Sequence, residues 1–153
     1  MFLTILVVVI LDQASKFVVQ HMMEVGQSIA VIDSIFHFTY ILNSGAAFGL
    51  LANRTLFFVV TTVIVVVGLL IYSYRSKKGG LQSLALGLLL GGAVGNLLDR
   101  LRFGHVVDFI DFRIWPVFNI ADIAIVLGSI LLIYALLMQD REKSEEKVDS
   151  HGS

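Results

Sequence analysis

The chain has 153 residues, of which 57% are apolar and 15% charged, with a mean hydropathy of +0.87. That is more apolar than a soluble globular domain, and the apolar residues fall in long blocks, so lipid is the solvent to consider first. Eleven basic and twelve acidic residues leave a net charge of -1, with no basic stripe for nucleic acid, and the absence of cysteine excludes disulfides, thiolate nucleophiles and Cys-based zinc sites.

The first predicted element covers residues 2–23. It opens with an uncharged apolar run that is broken by Asp12 and Lys16, and it has neither the basic start nor the small-residue cleavage site of a secretory signal, so it reads as a retained helix. Asp12 and Lys16 stand four apart with Ser15 beside them and can pair as a nearly neutral unit.

Residues 24–54 form an outer segment. Residues 29–32 are rich in β-branched side chains, and residues 35–42 place Phe36, Phe38, Tyr40 and Leu42 on one face of an extended strand, which predicts a small sheet lying on the membrane surface. Asn43-Ser44-Gly45 reads as a turn and residues 46–52 as a short helix.

Three further spans follow at about 55–74, 79–100 and 117–138, each long enough to cross the bilayer as a helix, the last with only Asp122 ionisable. Arg75, Lys77 and Lys78 crowd the link between the second and third spans, which places that link, and with it both termini, in the cytoplasm. Residues 24–54 and the loop 101–116 then face outward, and the tail 139–153 reads as a solvated, frayed end. The expectation is a mainly α membrane protein: one integral membrane domain over residues 1–153, with four transmembrane helices and a small extracytoplasmic sheet between the first two. Gly87, Gly91 and Gly95 repeat at the spacing that lets a neighbouring helix approach closely.

Each ionisable group at membrane depth costs roughly 2.5–3.5 kcal/mol on insertion scales, so each needs a reason. Asn96, Asp99 and Arg100 share the outward end of the third span and by themselves read as an interfacial cap with Arg100 reaching for the surface. Trp115-Pro116 precedes the fourth span, and Asn119 and Asp122, one turn apart, read as a capping pair. Capping leaves unexplained why Asp108 is delivered to the same rim. Two carboxylates at a wet edge of an apolar bundle can share one proton, one acting as base toward water and the other as acid toward a peptide carbonyl. From the residues alone, a structural polar cluster and a transport path through Asp12, Asp99 and Asp122 stand beside this reading. His21, His37, His105 and His151 lack metal-ligand spacing, and Ser15 and Lys16 point different ways on a helix. Asp111 reads as a solvated loop acid and is Asp108's rival by spacing.

The segments Asp12-Gln13-Ala14-Ser15-Lys16, Asn43-Ser44-Gly45-Ala46-Ala47-Phe48, Gly95-Asn96-Leu97-Leu98-Asp99-Arg100, Val106-Val107-Asp108-Phe109 and Phe118-Asn119-Ile120-Ala121-Asp122 together resemble bacterial lipoprotein signal peptidase, or signal peptidase II. The resemblance implies an integral membrane aspartic endopeptidase of the bacterial cytoplasmic membrane that removes the signal peptide from diacylglyceryl-modified prolipoproteins, without a cofactor. It places the catalytic dyad on Asp108 and Asp122, and supporting or substrate-binding roles on Asp12, Lys16, Asn43, Gly45, Asn96, Asp99, Arg100, Asn119 and Ala121. It also implies that residues 24–54 form a substrate cradle whose short helix acts as a flap, working as a monomer among membrane lipids.

Overall fold

The computed structural model describes residues 1–45, 54–75 and 79–151. Long apolar runs in lipid must satisfy every backbone N–H internally, and the chain does so with helices α1 (Phe2–Met22), α2 (Thr55–Arg75), α3 (Gly80–Phe103) and α4 (Ile120–His151). Each contains a stretch long and apolar enough to cross a membrane. The Ser73 hydroxyl donates to Met1 Sδ at 3.0 Å, which sets the start of α1 beside the end of α2. The expected short helix at 46–52, and Lys77 and Lys78, lie outside the described residues.

Helix α3 is the centre of the bundle, and its glycines make it so. A Cβ built on Gly87 would lie 2.6 Å from Thr4 Cβ, one on Gly91 2.7 Å from Val8 Cβ, and one on Gly95 2.6 Å from Asp12 Oδ2, so these three let α1 lie directly on α3. Gly92 meets the Ala121 carbonyl in the same way and Gly128 of α4 meets Ala85 and Leu89, which closes α4 onto the neighbouring face.

At the other end from Met1, three short strands form an antiparallel sheet in the order β1 (Ser28–Ile32), β2 (Phe36–Asn43), β3 (Val106–Asp111). The sequence accounts for the first two but assigns residues 101–116 to a loop; β3 arises there because Gly104, at φ 77°, ends α3 in the left-handed conformation and turns the chain back over the bundle. All six residues of β3 are buried, and Val107, Phe109 and Ile110 pack with Val19 and Tyr40 into a core beneath the sheet. The alternation expected of β2 is interrupted by a register shift between Phe38 and Ile41, so Tyr40 is buried while Phe38 and Leu42 are partly exposed.

Two other boundaries differ from expectation. Helix α4 starts at Ile120 rather than residue 117, because Phe118 pairs with Ile110 in a β-bridge and Asn119 caps the helix. The backbone expected to fray beyond residue 138 continues α4 to His151. Helix α1, expected over residues 2–23, spans Phe2–Met22.

Candidate active site

Four elements converge where the C-terminal parts of α1 and α3 and the N-terminal end of α4 meet β3. From α1, Lys16 Nζ pairs with Asp12 Oδ2 at 2.9 Å and also with Asp99 Oδ2 of α3 at 2.8 Å, all three side chains being almost wholly buried. Each acid then uses another oxygen lone pair to fix a neighbouring backbone: Asp12 Oδ1 accepts the Ala121 N–H at 3.0 Å and Asp99 Oδ2 accepts the Val107 N–H at 3.2 Å. The pair expected between Asp12 and Lys16 is present, but Asp99 is a third member rather than an interfacial cap.

The cap of α4 does two jobs. The Asp122 N–H donates to Asn119 Oδ1 at 3.0 Å while the Asn119 N–H donates to Asp122 Oδ2 at 3.2 Å, the reciprocal pattern of a capping box. Asn119 Nδ2 meanwhile donates to Asp108 Oδ1 at 2.7 Å, to Asn96 Oδ1 at 3.1 Å and to the Val107 carbonyl at 3.3 Å. Asp108 Oδ2 accepts Asn43 Nδ2 from β2 at 2.8 Å, and the Gly45 N–H donates to Asn43 Oδ1 at 3.0 Å, holding that amide in place. Asp122 Oδ1 accepts Asn96 Nδ2 at 2.8 Å.

Asp108 and Asp122 line one cavity of about 240 Å³ together with Asn43, Gly45, Asn96 and Arg100. The Arg100 guanidinium lies 5.0 Å above the Phe58 ring, which ties α2 to this cavity by a cation–π contact. Asp108, with 1% of its surface exposed, has its pKa pushed up to about 7: burial and then the Asp122 charge raise it, against the pull of Asn43, Asn119 and Lys16. A carboxyl that exchanges its proton near neutral pH beside a second carboxyl is equipped for general acid–base work. Asp122 also lines two largely apolar grooves of about 500 Å³ and 330 Å³, one against Trp115, Phe118 and Val126 and the other between α2, α3 and α4.

The rival carboxylate is elsewhere. Asp111 is not a solvated loop acid; it ends β3, buried, and is not among the residues lining the cavity. Burial pushes its pKa up, but the Thr39 hydroxyl at 2.7 Å and the Arg113 backbone and guanidinium outweigh that and leave it below the usual carboxylate range. It is an ionised anchor between strands. Among the described residues no group of three or more His, Cys, Asp or Glu side chains is arranged to hold a metal ion.

Residues 4–138 match the family model described as signal peptidase (SPase) II. A lipoprotein signal peptidase of Halothermothrix orenii is 50% identical over 140 residues, covering 92% of this chain and 97% of that protein, and one of Pelotomaculum thermopropionicum is 53% identical over 149 residues, covering 96% and 97%. The chain belongs to the signal peptidase II family. A solved structure described as a bacterial membrane enzyme superposes with a TM-score of 0.86 at 38% identity, covering 92% of this chain and 89% of its own. A second of the same description gives 0.80 at 38% identity.

Within this signal peptidase II chain, the eleven residues to which the resemblance assigns catalytic or supporting roles lie in or against the cluster. Ala121 is fully buried and its Cβ stands near Gly95, where a larger side chain would part α3 from α4. One participant was missed. Gln13 Nε2 donates to Asp12 Oδ2 at 3.1 Å and to Asp99 Oδ1 at 2.9 Å, and its Oε1 accepts Arg102 Nη1 at 3.1 Å, so it binds the two acids that hold Lys16. Its signal is in the sequence: an amide beside Asp12 within an otherwise apolar helix.

Proposed function

We propose that this signal peptidase II cleaves diacylglyceryl-modified prolipoproteins just before the lipidated cysteine, with Asp108 and Asp122 as the catalytic dyad. The observation that carries the assignment is the presence of both carboxylates on one cavity, with the pKa of Asp108 raised to about 7. Asp108 carries the shared proton. Asp122, ionised, takes a proton from the attacking water while Asp108 gives its own to the carbonyl oxygen, forming a neutral gem-diol; return of the protons releases the amine and a new carboxyl group. Asn43, Asn96 and Asn119 hold the carboxylates so that attack starts from a fixed geometry. Arg100 balances negative charge at the cavity rim.

The apolar grooves beside Asp122 suit a substrate that brings acyl chains and an apolar helix to the scissile bond. The basic residues Arg75, Lys77 and Lys78 that follow the second span support a cytoplasmic link there, and on this reading both termini are cytoplasmic and the dyad lies near the extracytoplasmic face of the bacterial cytoplasmic membrane. The sheet then forms the substrate cradle, and the enzyme acts as a monomer among membrane lipids. A transport path requires acids spread through the depth of the bundle, whereas Asp12, Asp99, Asp108 and Asp122 form one cluster with Lys16.

The test is cleavage by purified protein in detergent of a prolipoprotein carrying the diacylglyceryl group and of the same precursor without it. The lipid-modified form is cleaved and the unmodified one is not. Folded protein that leaves the modified precursor intact contradicts the assignment.

A further inference from the structure

An asparagine side chain presents a donor at one end and an acceptor at the other, and which end faces a carboxylate decides whether that carboxylate is held or repelled. Two such amides, Asn96 and Asn119, stand between Lys16 and the dyad. The Lys16 ammonium has three N–H groups and no lone pair; they go to Asp12 Oδ2, to Asp99 Oδ2 and, at 3.0 Å, to Asn96 Oδ1. A group that only donates requires oxygen opposite it, so Asn96 must turn its nitrogen the other way, toward Asp122 Oδ1 at 2.8 Å. The same Asn96 Oδ1 accepts Asn119 Nδ2, which fixes the second amide: its nitrogen faces Asp108 Oδ1 at 2.7 Å and its oxygen receives the Asp122 N–H.

We infer that Lys16 is a positioning residue of the dyad, setting the polarity of the Asn96 and Asn119 amides so that both carboxylates meet donors. Lys16 does not itself line the cavity. Its influence travels through one hydrogen bond to Asn96. This role goes beyond neutralising Asp12 and Asp99, and it rests on the reading of Asp108 and Asp122 as catalytic. Without the ammonium, Asn96 can rotate and offer its carbonyl to Asp122, an arrangement compatible only with a protonated carboxyl at that position.

Removing Lys16 alone leaves two buried acids uncompensated, so the variant to make is Lys16→Met with Asp99→Asn, which keeps the net charge of the Asp12–Lys16–Asp99 group at -1. Cleavage kinetics of the full chain in detergent are compared for wild type, this double variant, Asn96→Leu and the triple combination. The double variant loses about 10- to 100-fold in kcat with KM within about twofold, the scale of a lost charge-assisted hydrogen bond, and the acid limb of its pH–rate profile moves to higher pH. In the Asn96→Leu background the same two changes cost less than about twofold, because the path they act through is already cut. An equal loss in both backgrounds overturns the inference. The side-chain amide resonances of Asn96 in ¹⁵N-Asn-labelled protein give a readout independent of activity. They shift and exchange faster in Lys16→Met/Asp99→Asn, and unchanged resonances overturn the inference. Asp122→Asn run alongside separates the two readings: if that variant stays active the dyad assignment fails, while the resonances still report whether Lys16 sets the amide polarity.

Discussion

Helices α2 and α3 are close in length but opposite in use. In the most apolar stretch of α2 no residue is fully buried, whereas more than half of those in the corresponding stretch of α3 are. Helix α2 is the greasier of the two and contributes Phe58 under Arg100 and the Thr55 hydroxyl on the Gly104 carbonyl as ties to the site. Helix α3 gives up apolar side chains for glycines and polar residues, and it carries Asn96, Asp99 and Arg100. In lipid, an apolar surface gains little by leaving one hydrocarbon for another, so close backbone approach and hydrogen bonding decide which helices pack. The polar, glycine-rich helix is therefore the scaffold of the chemistry.

Outside the dyad, the largest expected effect comes from breaking that packing at the site. Gly95→Val drives a side chain into Asp12 and Ala121, and overpacking of this kind costs about 1–3 kcal/mol or more; turnover falls below a tenth of wild type and thermal stability in detergent drops. Gly68→Ala in α2, where an added Cβ meets nothing within 4 Å, leaves turnover unchanged and does not lower the melting temperature. If the two substitutions behave alike, the contrast between the helices is wrong.

Gln13→Leu removes the amide that ties Asp12 to Asp99 across α1 and α3 while keeping much of the volume. It costs about 1–3 kcal/mol, read as a lower melting temperature together with reduced kcat. The pH dependence sharpens the same region. A carboxyl whose folded-state pKa is raised from 3.8 to about 7 favours the folded state below its unfolded pKa and loses that contribution as pH rises toward 7. Asp108→Asn removes this loss, so its melting temperature rises relative to wild type between pH 4 and about 7 and the gain then levels off. If the proposed dyad shares one proton, wild-type kcat/KM declines on the alkaline side with a midpoint near 7 as that proton is lost. A small effect is expected on the sheet: Arg113→Ala removes a half-exposed partner of Asp111 and lowers stability by no more than about 1 kcal/mol, with turnover unaltered.

Much of this arrangement was legible in the sequence because membranes make polar residues conspicuous. Asp12, Lys16, Asp99 and Asp122 stand out against apolar helices, and the spacing of Gly87, Gly91 and Gly95 announces a close helix contact, though not that α1 makes it. What the sequence concealed depends on long-range geometry. No local pattern states that Lys16 reaches across to Asp99, since that bond spans two helices. Strand β3 was hidden because Val106–Asp111 is buried on both faces and does not alternate, and its existence depends on the Gly104 turn and on β2 as a template. Asp111 was misread as solvated for the same reason: only pairing in the sheet buries it. Asn119 looked like a helix cap and is one, but its free amide nitrogen on Asp108 is visible only when β3 is in place.

The central claim is that Asp108 and Asp122, and not Asp111, perform the hydrolysis. Single-turnover cleavage of lipid-modified prolipoprotein by Asp108→Asn, Asp122→Asn and Asp111→Asn, each checked for folding by its melting curve, tests it most directly. The first two lose about a thousandfold or more while remaining folded, and Asp111→Asn stays within about tenfold of wild type. Substantial turnover by either dyad variant, or silence of folded Asp111→Asn, would contradict it.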